Sequence, residues 1–154
     1  MIFLLFSLFI LIVSIIVSRG MKWYENFLIP FWKPNGYLVG EFFGLIFVSS
    51  FLSLVIALSS IIGVFFSTFV YVFYSILGLV FIFLNVSFFA LKKMILSILI
   101  SFIGILFFIG SVFIFNTYSS YIFILLLPLF VWFCFAIYLS YSIYKFDIDQ
   151  KESQ

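Results

Sequence analysis

The chain contains no histidine, a single cysteine, five acidic residues and three prolines in 154 residues. The lack of histidine removes the commonest metal ligand, axial haem ligand and general base. With Asp147, Asp149 and Glu152 gathered near the C-terminus, acid–base and metal chemistry have almost nothing to work with; neither a metal nor a resident cofactor is expected. Cys134, alone in an apolar stretch, excludes an internal disulfide. Charge is equally scarce. A net charge of +2 is too small to attract nucleic acid, and no nucleic-acid partner is expected. What fills the sequence instead is apolar: 68% hydrophobic residues at a mean hydropathy of +1.47, more than a water-soluble fold can cover.

The few charges arrive in three packets, Arg19 to Glu41, Lys92 with Lys93, and Lys145 to Glu152. Between them lie uncharged runs, and a hydrocarbon core takes about 20 apolar residues per helical crossing. Met1 to Ser18 is one crossing, ended by Arg19-Gly20. It lacks the basic start and small-residue cleavage site of a signal peptide. Phe42 to Leu91 holds two crossings joined near Ile62 to Thr68, where Gly63 and Ser67 weaken a helix. Met94 to Tyr144 holds two more, broken at Asn116-Thr117-Tyr118-Ser119-Ser120, a cluster of turn formers. None of the runs alternates apolar and polar residues, which excludes a membrane barrel with a wet lumen. The expected fold is a single all-α membrane domain over 1–154. Its helices fall at about 1–18, 38–62, 68–91, 94–115 and 121–146, with a structured loop over 19–37 and a polar tail over 147–154. Five crossings put every basic packet on one side. By the positive-inside rule the N-terminus then faces outward and the C-terminus lies in the cytosol.

Inside the helices, polar and small residues carry the signal. Ser49, Ser53, Ala57 and Ser60 line one helical face, and Ser97, Ser101, Gly104 and Ser111 another. Small residues let helix backbones approach closely in lipid. Each stripe is read either as an intramolecular packing face or as the seam of a homodimer. Asn85 is a buried amide in need of partners, supplied by another helix or by a ligand. The segment Trp23 to Gly36 holds two tryptophans and two prolines, a stiff aromatic surface stretch. An interfacial belt explains Trp23 and Trp32 but gives no reason for Pro30 and Pro34 to bracket Trp32.

These residues resemble a known family. Trp23, Tyr24, Pro30, Trp32 and Pro34 carry W-Y-x(5)-P-x-W-x-P, similar to the first-loop signature of the TspO/MBR family of tryptophan-rich sensory and translocator proteins. Phe88-Phe89-Ala90-Leu91-Lys92-Lys93 is similar to that family's F-F-G-L-R-R. Leu127-Pro128, Trp132, Phe135-Ala136, Leu139, Tyr141, Ile143 and Lys145 follow its last-helix pattern. The departures are Ile29 for a lysine, Asn35 for a second consecutive proline, and Phe43 for a tryptophan. In the third helix, Leu77, Phe81 and Leu84 replace family polar or tryptophan positions, and Asn85 stands one turn beyond the family asparagine.

The resemblance implies five helices, a cytosolic C-terminus and a cavity closed by the first loop. Ligand contacts would come from Tyr24, Pro34, Phe43, Phe47, Asn85, Trp132, Phe135 and Ala136, with Trp23, Pro30 and Trp32 as the lid. Porphyrins and sterol-like molecules are the implied ligands, and an apolar aromatic hollow with few polar tips suits a flat hydrophobic molecule. Leu139, Tyr141 and Lys145 also fit the loose cholesterol pattern L-x-Y-x(3)-K, whose ordinary explanation is an interfacial Tyr and a snorkelling Lys. The expected function is that of a membrane receptor or carrier in the lipid bilayer, in a plasma or organellar membrane. The alternatives are a porphyrin-degrading enzyme and a scaffold without a small-molecule ligand.

Overall fold

Long apolar runs with few breakers can satisfy their backbone groups in lipid only by coiling into helices. The computed structural model, which describes residues 2–26, 34–60, 64–115 and 120–152, is helical over all of those residues except 34–35 and 91–93, with no strand among them. Five α-helices follow in order: α1 (Ile2–Asn26), α2 (Gly36–Ser60), α3 (Val64–Asn85), α4 (Met94–Phe115) and α5 (Ser120–Glu152). One π-helical turn, Val86–Ala90, extends α3. Four segments are long and apolar enough to cross a membrane: Gly36–Ser59, Thr68–Ala90, Met94–Phe115 and Ser120–Ile148.

The outside of the bundle is greasier than its inside. Leu8, Leu52, Leu79, Phe83, Leu99, Phe102, Leu106, Phe113 and Ile124 are exposed, while Ser53, Ser97, Ser101 and Ser140 are fully buried. Water would punish that arrangement, and lipid accepts it. Most of the buried hydroxyls find partners within the protein. Those of Ser49, Ser87, Ser101 and Ser111 donate to carbonyls three or four residues back in their own helices. Among the described residues two reach another helix: Ser140 Oγ donates to Ser97 Oγ at 3.0 Å, and Ser53 Oγ lies 2.5 Å from the Tyr74 hydroxyl and 3.4 Å from the Ile122 carbonyl.

Both small-residue stripes are occupied within the chain. Ser97, Ser101, Gly104 and Ser111 are buried where α4 meets α5; a Cβ added at Gly104 would stand 2.5 Å from the Phe133 ring. Ser49, Ser53 and Ala57 are likewise buried, with Ser53 reaching α5. The intramolecular reading of the stripes is therefore the one observed, and a homodimer seam would need another face.

Several boundaries differ from the sequence reading; helix α3, for one, starts at Val64 rather than 68, so Ser67 and Thr68 of the expected turn are helical. Helix α1 does not stop at Ser18 but runs on to Asn26, so Trp23 and Tyr24 stand on a helix rather than in a loop. Gly20, read as a terminator, serves close packing instead. A Cβ there would come within 2.5 Å of Phe89 Cβ and 2.7 Å of the Phe89 carbonyl oxygen, so its absence lets α1 rest directly on the π turn. Helix α2 begins at Gly36, two residues early, where Asn35 Oδ1 accepts the Leu38 N–H at 2.9 Å and caps the helix. Residues 147–152, read as a tail, continue α5. Lys, Gln and Glu are good helix formers and no Gly or Pro interrupts them. Of the turn expected near Ile62 to Thr68, Ile62 and Gly63 lie outside the described residues, as do 116–119, Pro30 and Trp32; Ser120, the last residue of the expected break at Asn116 to Ser120, opens α5.

The π turn closes on an unusual cap. The Leu91 N–H reaches back to the Val86 carbonyl, the Lys93 N–H to that of Ser87, both at 2.9 Å, and Lys92 between them takes φ 56°. A left-handed residue commonly ends a helix, but it is ordinarily glycine.

Candidate functional site

Apolar helices in lipid gain little by burying side chains, so gaps between them persist unless side-chain shapes fit. One such gap lies between α1, α2 and α3, with Leu129 of α5 at its edge: a hollow of about 480 Å³ lined by Leu8, Phe9, Ile12, Phe47, Leu54, Leu77 and Phe81 among others. Its polar rim is sparse, comprising Ser50, Tyr71, Tyr74 and Ser75. That volume falls in the range of small-molecule pockets.

Against one wall of the hollow stands a cluster of rings. Phe43 and Trp132 are 4.6 Å apart between centroids, Phe43 and Phe81 5.6 Å, Phe47 and Phe81 6.0 Å, and Phe43 and Phe47 6.3 Å. All four are buried. Phe47 and Phe81 belong to both structures, lining the hollow and packing against Phe43.

Unpaired polar atoms occur on the hollow, in the ring cluster and next to Phe81. Among the described residues three buried side-chain atoms have no hydrogen-bond partner: Ser50 Oγ, Asn85 Oδ1 and Trp132 Nε1. Ser50 lines the hollow, Trp132 belongs to the ring cluster, and Asn85 follows Phe81 by one turn, donating its Nδ2 to the Phe81 carbonyl at 2.8 Å. Leaving a buried polar atom unmatched costs about 1–3 kcal/mol. The expected bond from Asn85 to another helix is replaced by one within α3, and its carbonyl oxygen stays open.

The remaining expected residues divide into two groups. Phe135, half-buried, holds its ring 5.9 Å from Trp132, and Ala136 is buried one residue further along α5. Tyr24 and Pro34 do not join the ring cluster; they make a clasp between the end of α1 and the start of α2. The Tyr24 hydroxyl donates to the Pro34 carbonyl at 2.9 Å, and its ring packs against Phe88 and Phe89 of the π turn. Tyr24 lies beyond the charged boundary at Arg19, and burial pushes its phenol up to about 12, which keeps the donor protonated. Trp23 sits beside Phe88, with the Lys92 Nζ 5.3 Å from its centroid. In the sterol-like pattern Leu139 is buried while Tyr141 and Lys145 are exposed, so the three do not share one surface. Sequence reasoning missed Ser50, Phe81 as a shared wall, and the hollow itself. Phe81 is one of 27 phenylalanines, and nothing in its spacing marks it.

The comparison with protein families decides the lineage. The TspO/MBR family model matches residues 1–145. The chain belongs to the TspO/MBR family. With its apolar helices, it is an integral membrane protein of that family. No curated protein matches the chain at a significant level.

Proposed function

We propose that this TspO/MBR-family protein binds a planar hydrophobic ligand, porphyrin or sterol-like, in a chamber made of the hollow and the ring cluster together. The observation that carries the reading is that Ser50 Oγ on the hollow, Trp132 Nε1 in the ring cluster and Asn85 Oδ1 one turn from Phe81 have no hydrogen-bond partner among the described residues. A ligand with a few polar substituents on an apolar body offers what they lack. Phe47 and Phe81 are the partition: turning their rings joins the hollow to the ring cluster and lets a flat molecule stack against the Phe43–Trp132 pair. Asn85 and Trp132 then fix its orientation by one accepted and one donated hydrogen bond. The Tyr24–Pro34 clasp joins the end of α1 to the start of α2, and the family resemblance gives the segment between them the role of lid.

In this reading the bundle crosses the bilayer five times with its charged end in the cytosol, as the one-sided basic packets favour. Titration of detergent-solubilised protein with protoporphyrin, followed by the Soret band, tests it. Saturable binding that Trp132→Ala abolishes is expected, and non-saturable partitioning would overturn it. Illumination of the loaded protein distinguishes receptor or carrier from degrading enzyme, because only the enzyme yields a bilin-like product.

A further inference from the structure

At the charged end of the bundle lies a second cleft, of about 630 Å³, separate from the ligand chamber. Trp23, Lys92, Lys93, Tyr144 and Asp147 form its polar mouth, and Ile95, Leu96, Leu99 and Ile143 continue it along the bundle. Two cations face one acid there. Ile95, Leu96 and Leu99 are exposed on the outer surface of α4, so the apolar half opens toward lipid rather than into the core. A groove that is cationic at one end, apolar at the other and rimmed by Trp and Tyr has the polarity profile of half a bilayer.

Lys92 supplies a second, independent sign. It holds φ 56°, where a glycine would be free of strain, and its ammonium lies 5.3 Å from the Trp23 ring centroid at the mouth of the cleft. A side chain kept at a position suited to glycine is a sign that the side chain is needed.

We propose that this cleft seats an anionic phospholipid of the surrounding leaflet, its phosphate between Lys92 and Lys93 and one acyl chain along Leu96 and Leu99. The assignment is independent of what the inner chamber binds. Trp23 provides the reporter. In a protein that keeps Trp23 but carries Trp32→Phe and Trp132→Phe, reconstituted in phosphatidylcholine, brominated phosphatidylglycerol should quench the fluorescence more than brominated phosphatidylcholine at the same mole fraction. Lys92→Gln and Lys93→Gln should each lower that preference about fivefold, the worth of one lysine at an anionic surface. Lys92→Gly, which removes the cation and relaxes the backbone, should lower it equally while raising thermal stability. Lys145→Gln with Lys151→Gln should leave it intact.

Equal quenching by the two lipids would overturn the proposal. So would an equal loss in the Lys145/Lys151 variant, which would trace the effect to general surface charge, or full competition by soluble glycerol phosphate, which would make the cleft a headgroup site without a chain. Native mass spectrometry of the unsubstituted protein gives a check that needs no tryptophan replacement. Phosphatidylglycerol should be retained over phosphatidylcholine, and the Lys92→Gln/Lys93→Gln protein should retain neither.

Discussion

The α4–α5 seam and the α1–α2–α3 side of the bundle are built from the same greasy alphabet, yet one is shut and the other holds a hollow. Along the seam, Ser97, Ser101, Gly104 and Ser111 let the α4 backbone come close enough for Phe133 to press on Gly104 and for Ser140 to bond Ser97. On the other side, Phe9, Phe47, Tyr74 and Phe81 meet across bulky rings, and about 480 Å³ stays open between them. In lipid no hydrophobic force closes such a gap, because the tails outside are as apolar as the walls inside. Small residues therefore decide where the bundle is rigid, and large aromatic ones where it can accept a guest.

Substitutions at five positions sharpen that contrast, beginning with the largest effect. Gly104→Leu drives a branched side chain into fully buried Phe133; a loss of about 3 kcal/mol or more is expected from overpacking, seen as a lower unfolding temperature in detergent. Gly20→Ala meets the Phe89 backbone, which cannot swing aside, and about 1–3 kcal/mol should be lost. Ser53→Ala and Tyr74→Phe each remove one interhelical bond. A double-mutant cycle should return a coupling of about 0.6 kcal/mol, typical of such bonds in membranes. Gly78→Ala should change stability least, within about 0.5 kcal/mol, because its nearest neighbour is the Phe9 ring at 3.2 Å, which has the hollow to turn into. A Gly78→Ala as costly as Gly104→Leu would erase the distinction between a shut side and an open one.

Much of the fold was legible in the sequence, and the reasons are physical. An uncharged run between lysines must be long enough to cross, so α4 begins and ends at Met94 and Phe115 in both the sequence reading and the structure. Serine and glycine at spacings of three and four marked packed faces, and Trp132, Phe43 and Phe47 were recognisable as neighbours through the family pattern. Composition could not reveal the π turn or its contact with α1 through Gly20 and Phe89, which joins distant parts of the chain. Nor could it reveal the hollow. An empty space has no residues of its own, and its outline depends on the directions taken by Phe9, Phe47 and Phe81.

The most direct test of the single chamber is Soret titration of protoporphyrin into three variants side by side. Trp132→Phe keeps the ring and deletes the N–H, Ser50→Phe fills the hollow from its far wall, and Gly110→Ala adds one methyl where nothing lies within 4 Å. The first two should each weaken binding by about tenfold or more, equivalent to about 1.4 kcal/mol, and the third should match the unsubstituted protein. Unchanged affinity in both Trp132→Phe and Ser50→Phe would place the ligand elsewhere and contradict the account.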